Sequence, residues 1–105
     1  MKLEKSEFGV KLLRPLNKQL KAVEKKYKVD NRELNKNVKE LVIRLRYPVF
    51  ELEYVNGVYV MTVRTADPRV DHVAIYVRPD GCEARVPWGF GRGNAQEIAG
   101  YLAKI

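Results

Sequence analysis

Ten of the eleven lysines in this 105-residue chain precede Tyr47, at spacings that would gather them on helix faces. Lys18, Lys21, Lys25 and Lys28 step by three and four residues, and Arg32, Lys36 and Lys39 do the same. Cations arrayed in this way concentrate polyanions, and the counterions released on binding make the association salt-dependent. Nucleic acid is the partner class that this chemistry selects. A plain solvated helix face has the same pattern, since net charge bears on partners and solubility rather than on fold. Residues 1–47 carry 14 Lys/Arg against 6 Asp/Glu, a balance of +8, whereas residues 48–105 carry 6 against 7, a balance of −1. The whole excess of the formal +7 is N-terminal.

A second group of candidates lies further along. Tyr76, Arg78 and Arg85, with Arg64, fall in segments of alternating polarity. On an open sheet the ring could stack on a base while the guanidinium groups hold phosphate. Were a helix to cover that face, they would be peripheral cross-strand pairs, so the covered face decides. The run Pro87-Trp88-Gly89-Phe90-Gly91-Arg92-Gly93 offers glycines through which backbone N–H groups could approach an anion, Arg92 as a charged fork, and a helix start behind it. It lacks the glycine spacing of dinucleotide folds and the Gly-Lys-Ser/Thr of a phosphate loop, and it equally suits a strand-to-helix connection. Other chemistry is sparse. Cys82 is the only cysteine and His72 the only histidine, too few for a disulfide or a zinc site. Glu51 and Glu53 share a strand face without a third ligand. No catalytic residue, metal or cofactor is assigned.

These side chains need elements to hold them. Leu16, Leu20, Val23 and Tyr27 recur at helical spacing after Pro15, which suits a first helical turn. Residues 1–14, interrupted by Gly9, read as a short strand or an irregular arm. Val29-Asp30-Asn31 marks a break, with Asp30 or Asn31 capping a second helix whose stripe is Leu34, Val38, Leu41 and Leu45. After Pro48 the apolar period drops to two. Asn56-Gly57, a pair suited to positive φ at both positions, predicts a hairpin. It sets Phe50 opposite Val63, Leu52 opposite Met61 and Tyr54 opposite Tyr59, with Glu51 and Thr62, Glu53 and Val60, and Val55 and Val58 on the other face. A second hairpin around Pro79-Asp80-Gly81 aligns Val77 with Cys82, Ile75 with Ala84 and Val73 with Val86. Asn94 and Glu97 have the spacing of a capping box before a last helix bearing Ile98, Tyr101, Leu102 and Ile105. The expected architecture is α+β: two N-terminal helices, a four-stranded antiparallel sheet made of two hairpins, and a C-terminal helix, all in one domain spanning 1–105.

No apolar run approaches the roughly 20 residues of a membrane span, and Met1-Lys2-Leu3-Glu4-Lys5 is not a signal peptide, so a cytoplasmic protein without a membrane partner is expected. Met1-Lys2-Leu3-Glu4-Lys5-Ser6-Glu7-Phe8 followed by a helix resembles the start of RelE/ParE-type toxins. That resemblance implies a metal-independent ribonuclease, with Arg64, Arg78, Arg85 and Tyr76 standing in for its Lys, Arg and Tyr. A helix before a four-stranded meander, with Gly57-Val58-Tyr59, Asp67-Pro68 and Cys82, is similar to ubiquitin-conjugating-enzyme-like domains. Arg78-Pro79-Asp80 stands where their His-Pro-Asn would be, so Cys82 inherits no catalytic role. The residues themselves favour a nucleic-acid-binding or ribonucleoprotein-associated module, RNA ahead of DNA. Its contacts would be Lys18, Lys21, Lys25, Lys28, Arg32, Lys36, Lys39, Tyr76, Arg78, Arg85 and Arg92. The alternatives are the toxin-type ribonuclease and a protein-interaction domain acting as a homodimer through apolar stripes or a sheet edge.

Overall fold

A computed structural model describes residues 9–47, 49–65, 67–70 and 72–104. Helices α1 (Gly9–Tyr27) and α2 (Arg32–Arg44) precede strands β1 (Val49–Val55), β2 (Val58–Arg64), β3 (His72–Arg78), β4 (Gly81–Val86) and β5 (Gly89–Gly93), and α3 (Ala95–Leu102) follows. The strands form one antiparallel sheet in the order β1-β2-β3-β4-β5, each pairing with its neighbours in sequence. This is an α+β arrangement with five strands, not the expected four.

The extra strand is the glycine-rich run. Glycine is depleted in strands because it has no side chain to pack, so composition argues for a connector. Pairing overrides that preference: Glu83 lies opposite Arg92, Ala84 opposite Gly91 and Arg85 opposite Phe90. Its glycines alternate with Phe90 and Arg92 and point to the helical side, where α3 comes close. A Cβ added to Gly91 would lie 2.7 Å from Cδ1 of Tyr101, so only glycine lets that ring sit on the strand.

The first helix begins at Gly9, where a strand or arm was expected, and Pro15 lies inside it rather than in its first turn. Residues 1–8 of that expected arm fall outside the described residues. An interior proline removes one backbone hydrogen bond and costs ~3 kcal/mol. Burial of Leu16 and Leu20, which are almost wholly inaccessible, is of the right size to offset it, at about 1.5–3 kcal/mol each. Tyr27, placed by its spacing on the apolar stripe, is instead half exposed and meets Tyr54 in a tilted ring contact at 5.2 Å. Between α1 and α2, Lys28 takes a left-handed φ of 55° and the N–H of Val29 reaches back to the carbonyl of Glu24. Glu24 then accepts from the backbone of Asn31 (3.1 Å) and from Nδ2 of Asn35 (2.8 Å). Asn31 occupies the cap position of α2 without a side-chain cap bond, while Asp30 accepts from the N–H of Arg32.

In the sheet, Asn56 (φ 50°) and Gly57 (φ 82°) make the expected turn. Leu52 faces Met61 and Tyr54 faces Tyr59 as the alternation requires. A shift between Val49 and Glu51 puts Val49, not Phe50, opposite Val63. The β3–β4 ladder sets Val77 opposite Cys82 and Ile75 opposite Ala84, but it stops at Ala74 and Arg85, one residue short of Val73 and Val86.

Along β2 and β3 buried residues alternate strictly with partly exposed ones. Tyr59, Met61, Val63, Val73, Ile75 and Val77 form the buried set, joined by Leu52, Cys82 and Ala84. Against this face α2 lies over β2 and β3, α3 lies over β4 and β5, and α1 lies against α2. No described helix covers the opposite face.

Candidate nucleic-acid interface

On that open face the register places the side chains without further assumption. One cross-strand row reads Glu53, Val60, Tyr76, Glu83, Arg92, and the next reads Glu51, Thr62, Ala74, Arg85, Phe90. Arg78 lies two residues beyond Tyr76 and therefore on the same face. Its strand end is anchored by α2, where Nδ2 of Asn37 donates to the carbonyls of Arg78 (2.8 Å) and Pro79 (3.2 Å).

At the centre is Glu83, whose side chain is only 4% exposed. Its Oε1 accepts from Nε of Arg92 at 2.8 Å and its Oε2 from Nε of Arg85 at 3.0 Å. These hydrogen bonds, that of Arg92 first and then that of Arg85, hold the Glu83 carboxyl below the usual glutamate range. Burying a carboxylate costs little only when it is so paired. The two arginines remain largely exposed beyond their Nε atoms. Both also meet rings: the guanidinium carbon of Arg85 lies 4.7 Å from the Tyr76 centroid, and that of Arg92 lies 5.2 Å from Phe90. Arg78 approaches Tyr76 from 5.8 Å. Such cation–ring contacts orient the planar guanidinium as well as attract it.

The expected contact residues thus divide between two surfaces. Tyr76, Arg78, Arg85 and Arg92 come together on the open sheet face. Lys18, Lys21 and Lys25 form an exposed stripe on α1, about half a turn from Leu16 and Leu20, and Lys28 is exposed in the turn that follows. Arg32 and Lys36 are exposed on α2 and Lys39 is half buried. Because the helices pack on the other side of the sheet, these cations lie on the opposite side of the molecule from the arginine group. Among the described residues no carboxylate lies within ion-pair distance of those lysines, while Arg32 pairs with Asp30 at 3.5 Å.

Two sequence expectations change. Arg92 belongs to strand β5, not to a phosphate-cradling loop, since the glycines around it are engaged in the ladder. The start of α3 is occupied by its own capping box: Oδ1 of Asn94 accepts from the N–H of Glu97, and Oε1 of Glu97 accepts from that of Asn94. Its N-terminal charge is already met by a carboxylate. Arg64 lies on the same face, two residues beyond Thr62 and opposite His72, with its Nε 3.4 Å from Nε2 of that histidine. One residue of the face escaped sequence reasoning, since Phe90 was read as loop. Strand alternation already places Glu83 on the more polar face with Tyr76, Arg78 and Arg85, but its pairing with two arginines comes only from the sheet. The alternation Gly-Phe-Gly-Arg-Gly, read as period two, would have revealed both the strand and its outward residues.

The remaining chemistry is quiet. Burial, with a contribution from Glu40, pushes the Cys82 thiol up to about 11, so it stays protonated and unreactive near neutrality. Among the described residues no three His, Cys, Asp or Glu side chains are placed to hold a metal. Likewise, no described helix is long and apolar enough to cross a membrane. No known protein family, curated protein or solved structure matches this chain at a significant level. The RelE/ParE and ubiquitin-conjugating-enzyme resemblances therefore rest on their short motifs alone.

Proposed function

We propose that this protein binds nucleic acid, RNA in preference to DNA, and that the open sheet face is its principal contact surface. One observation carries the reading: Arg78, Arg85 and Arg92, from three adjacent strands, converge with Tyr76 and Phe90 on the face that no described helix covers. Guanidinium groups suit phosphate because their forked donors match its oxygens, and flat rings beside them suit bases. Glu83 cancels part of the charge but fixes two of the forks, so less side-chain freedom is lost on binding. The acidic border formed by Glu51 and Glu53 on β1 confines an anionic ligand to the β3–β5 half.

This reading favours binding over cleavage. The carboxylate within the cluster is held ionised by two arginines and engaged on both oxygens, a poor base for a ribose hydroxyl. The lysine stripe of α1 is a second, weaker contact surface for the polyanion. Fluorescence-anisotropy titration of a labelled 12-nucleotide RNA at 50 mM salt tests the proposal. Saturable binding that weakens as salt rises is expected, and no binding at that salt rejects it.

A further inference from the structure

Phe90 stands on an edge strand with 61% of its surface exposed and faces away from the core, so folding gives no reason for an aromatic side chain there. Its surroundings narrow what would cover it. Arg85 lies directly opposite in the register and Arg92 approaches the ring, both pinned by Glu83. An apolar protein surface closing on Phe90 would bury the Nη groups of both guanidiniums, which Glu83 does not engage, without partners, and that is costly. A ligand pairing flat apolar rings with regularly spaced anions satisfies both. Tyr76 is less suited to stacking, because it is half buried and two guanidinium groups lie near its ring, against one near the far more exposed Phe90. Behind Phe90, the ring of Tyr101 packs on Gly91, so α3 holds the strand that carries Phe90 firmly in place.

We infer that Phe90 is the base-stacking platform of this surface and that the protein therefore selects unpaired over duplex nucleic acid; this rests on the function proposed above. Bases inside a duplex are covered on both faces by their neighbours and offer the ring nothing, whereas an unpaired base leaves a face free. A base lying on Phe90 would bring its flanking phosphates within reach of Arg85 and Arg92. Residues two apart on β5 are separated by only ~6.7 Å.

Anisotropy titrations with an unstructured 12-nucleotide RNA, the same strand annealed to its complement, and an abasic 12-mer of equal phosphate number test the inference. The single strand should bind at least tenfold more tightly than the duplex. Phe90→Ala should weaken the single strand roughly 5- to 150-fold, which corresponds to the ~1–3 kcal/mol of base–aromatic stacking. It should leave the abasic strand unchanged, and Phe90→Trp should restore binding. Because Phe90 is exposed, the variant should fold as the parent does, which circular dichroism checks. Equal affinity for strand and duplex, with Phe90→Ala silent on both, overturns the inference while leaving nucleic-acid binding intact. Failure of all three probes to bind overturns both.

Discussion

The two cationic surfaces can be told apart by the salt dependence of binding, and its size follows from the side chains on each. For a single strand the logarithm of affinity falls with the logarithm of salt by about 0.7 for each phosphate neutralised. The sheet face offers Arg78, Arg85 and Arg92 less the charge of Glu83, equivalent to two or three phosphates and a slope of about 1.4–2.1. From 50 to 200 mM salt, affinity should then fall roughly 7- to 18-fold. If Lys18, Lys21 and Lys25 on α1 and Lys28 in the turn after it engaged the same strand fully, the slope would approach about 5 and the loss nearly a thousandfold. The decisive variant combines Arg78→Ala, Arg85→Gln and Arg92→Gln with Glu83→Gln, because removing the arginines alone would strand a buried carboxylate. Measured by anisotropy across that salt range, it should lose the slope. Lys18→Ala, Lys21→Ala and Lys25→Ala on α1, where alanine only strengthens the helix, together with Lys28→Ala in the turn that follows, should reduce the slope by less than one. A parent slope near 5, or a slope that survives in the arginine variant and vanishes in the lysine variant, would refute the assignment to the sheet.

Three further outcomes test the packing beneath that face. Gly91→Ala should destabilise by about 1–3 kcal/mol, since the new methyl meets Tyr101; in a Tyr101→Ala background, denaturant titration should show most of that cost gone, and full additivity would argue against the contact. Tyr59 is wholly buried and its hydroxyl has no hydrogen-bond partner among the described residues. Tyr59→Phe should therefore raise stability by about 1 kcal/mol, or Tm by roughly 4 °C, and a loss would reveal a hidden partner. The carboxyl of Glu83 is depressed in the folded protein, so its stabilising contribution is present above the ordinary glutamate value of about 4.3 and fades as pH falls below it. Glu83→Gln should flatten that part of the acid limb in thermal melts recorded from pH 5 downward, whereas an acid limb identical to the parent's would remove Glu83 as a contributor.

What the sequence revealed of this fold depended on whether a local signal and the tertiary demand agreed. Asn56-Gly57 specifies its own backbone, and the alternation from Leu52 to Tyr59 has a buried face to satisfy, so turn and register were both readable. Asn94 and Glu97 form their capping box from neighbouring residues alone. Where local preference and packing conflict, reading failed. Pro15 argues for a helix start, yet the helix runs through it; three glycines argue for a loop, yet α3 requires a strand too bare to obstruct Tyr101. The lysine stripes were evident because they are periodic. The arginine face was only partly legible: Tyr76, Arg78, Glu83 and Arg85 follow from strand alternation, but the pairing of Glu83 with two arginines and the placement of Phe90 come only from neighbours across the sheet.

The separation of the two surfaces constrains how they could act together. A double helix has a persistence length near 150 base pairs, so a short duplex is a rigid rod that lies along one surface or the other. A single strand is flexible enough to cross a sheet edge and reach from the arginine face to the lysines beyond. The acidic residues of β1 make the edge nearest α1 unfavourable, and beyond β5 a strand meets α3 and then α2 before it reaches α1. Lysines on α1 would then extend the contact only for strands longer than the sheet face itself. For short single strands the lysine variants should change little, and their effect should grow with strand length. For duplexes the same variants should reduce affinity at every length, because phosphate alone makes no use of the ring on the opposite side.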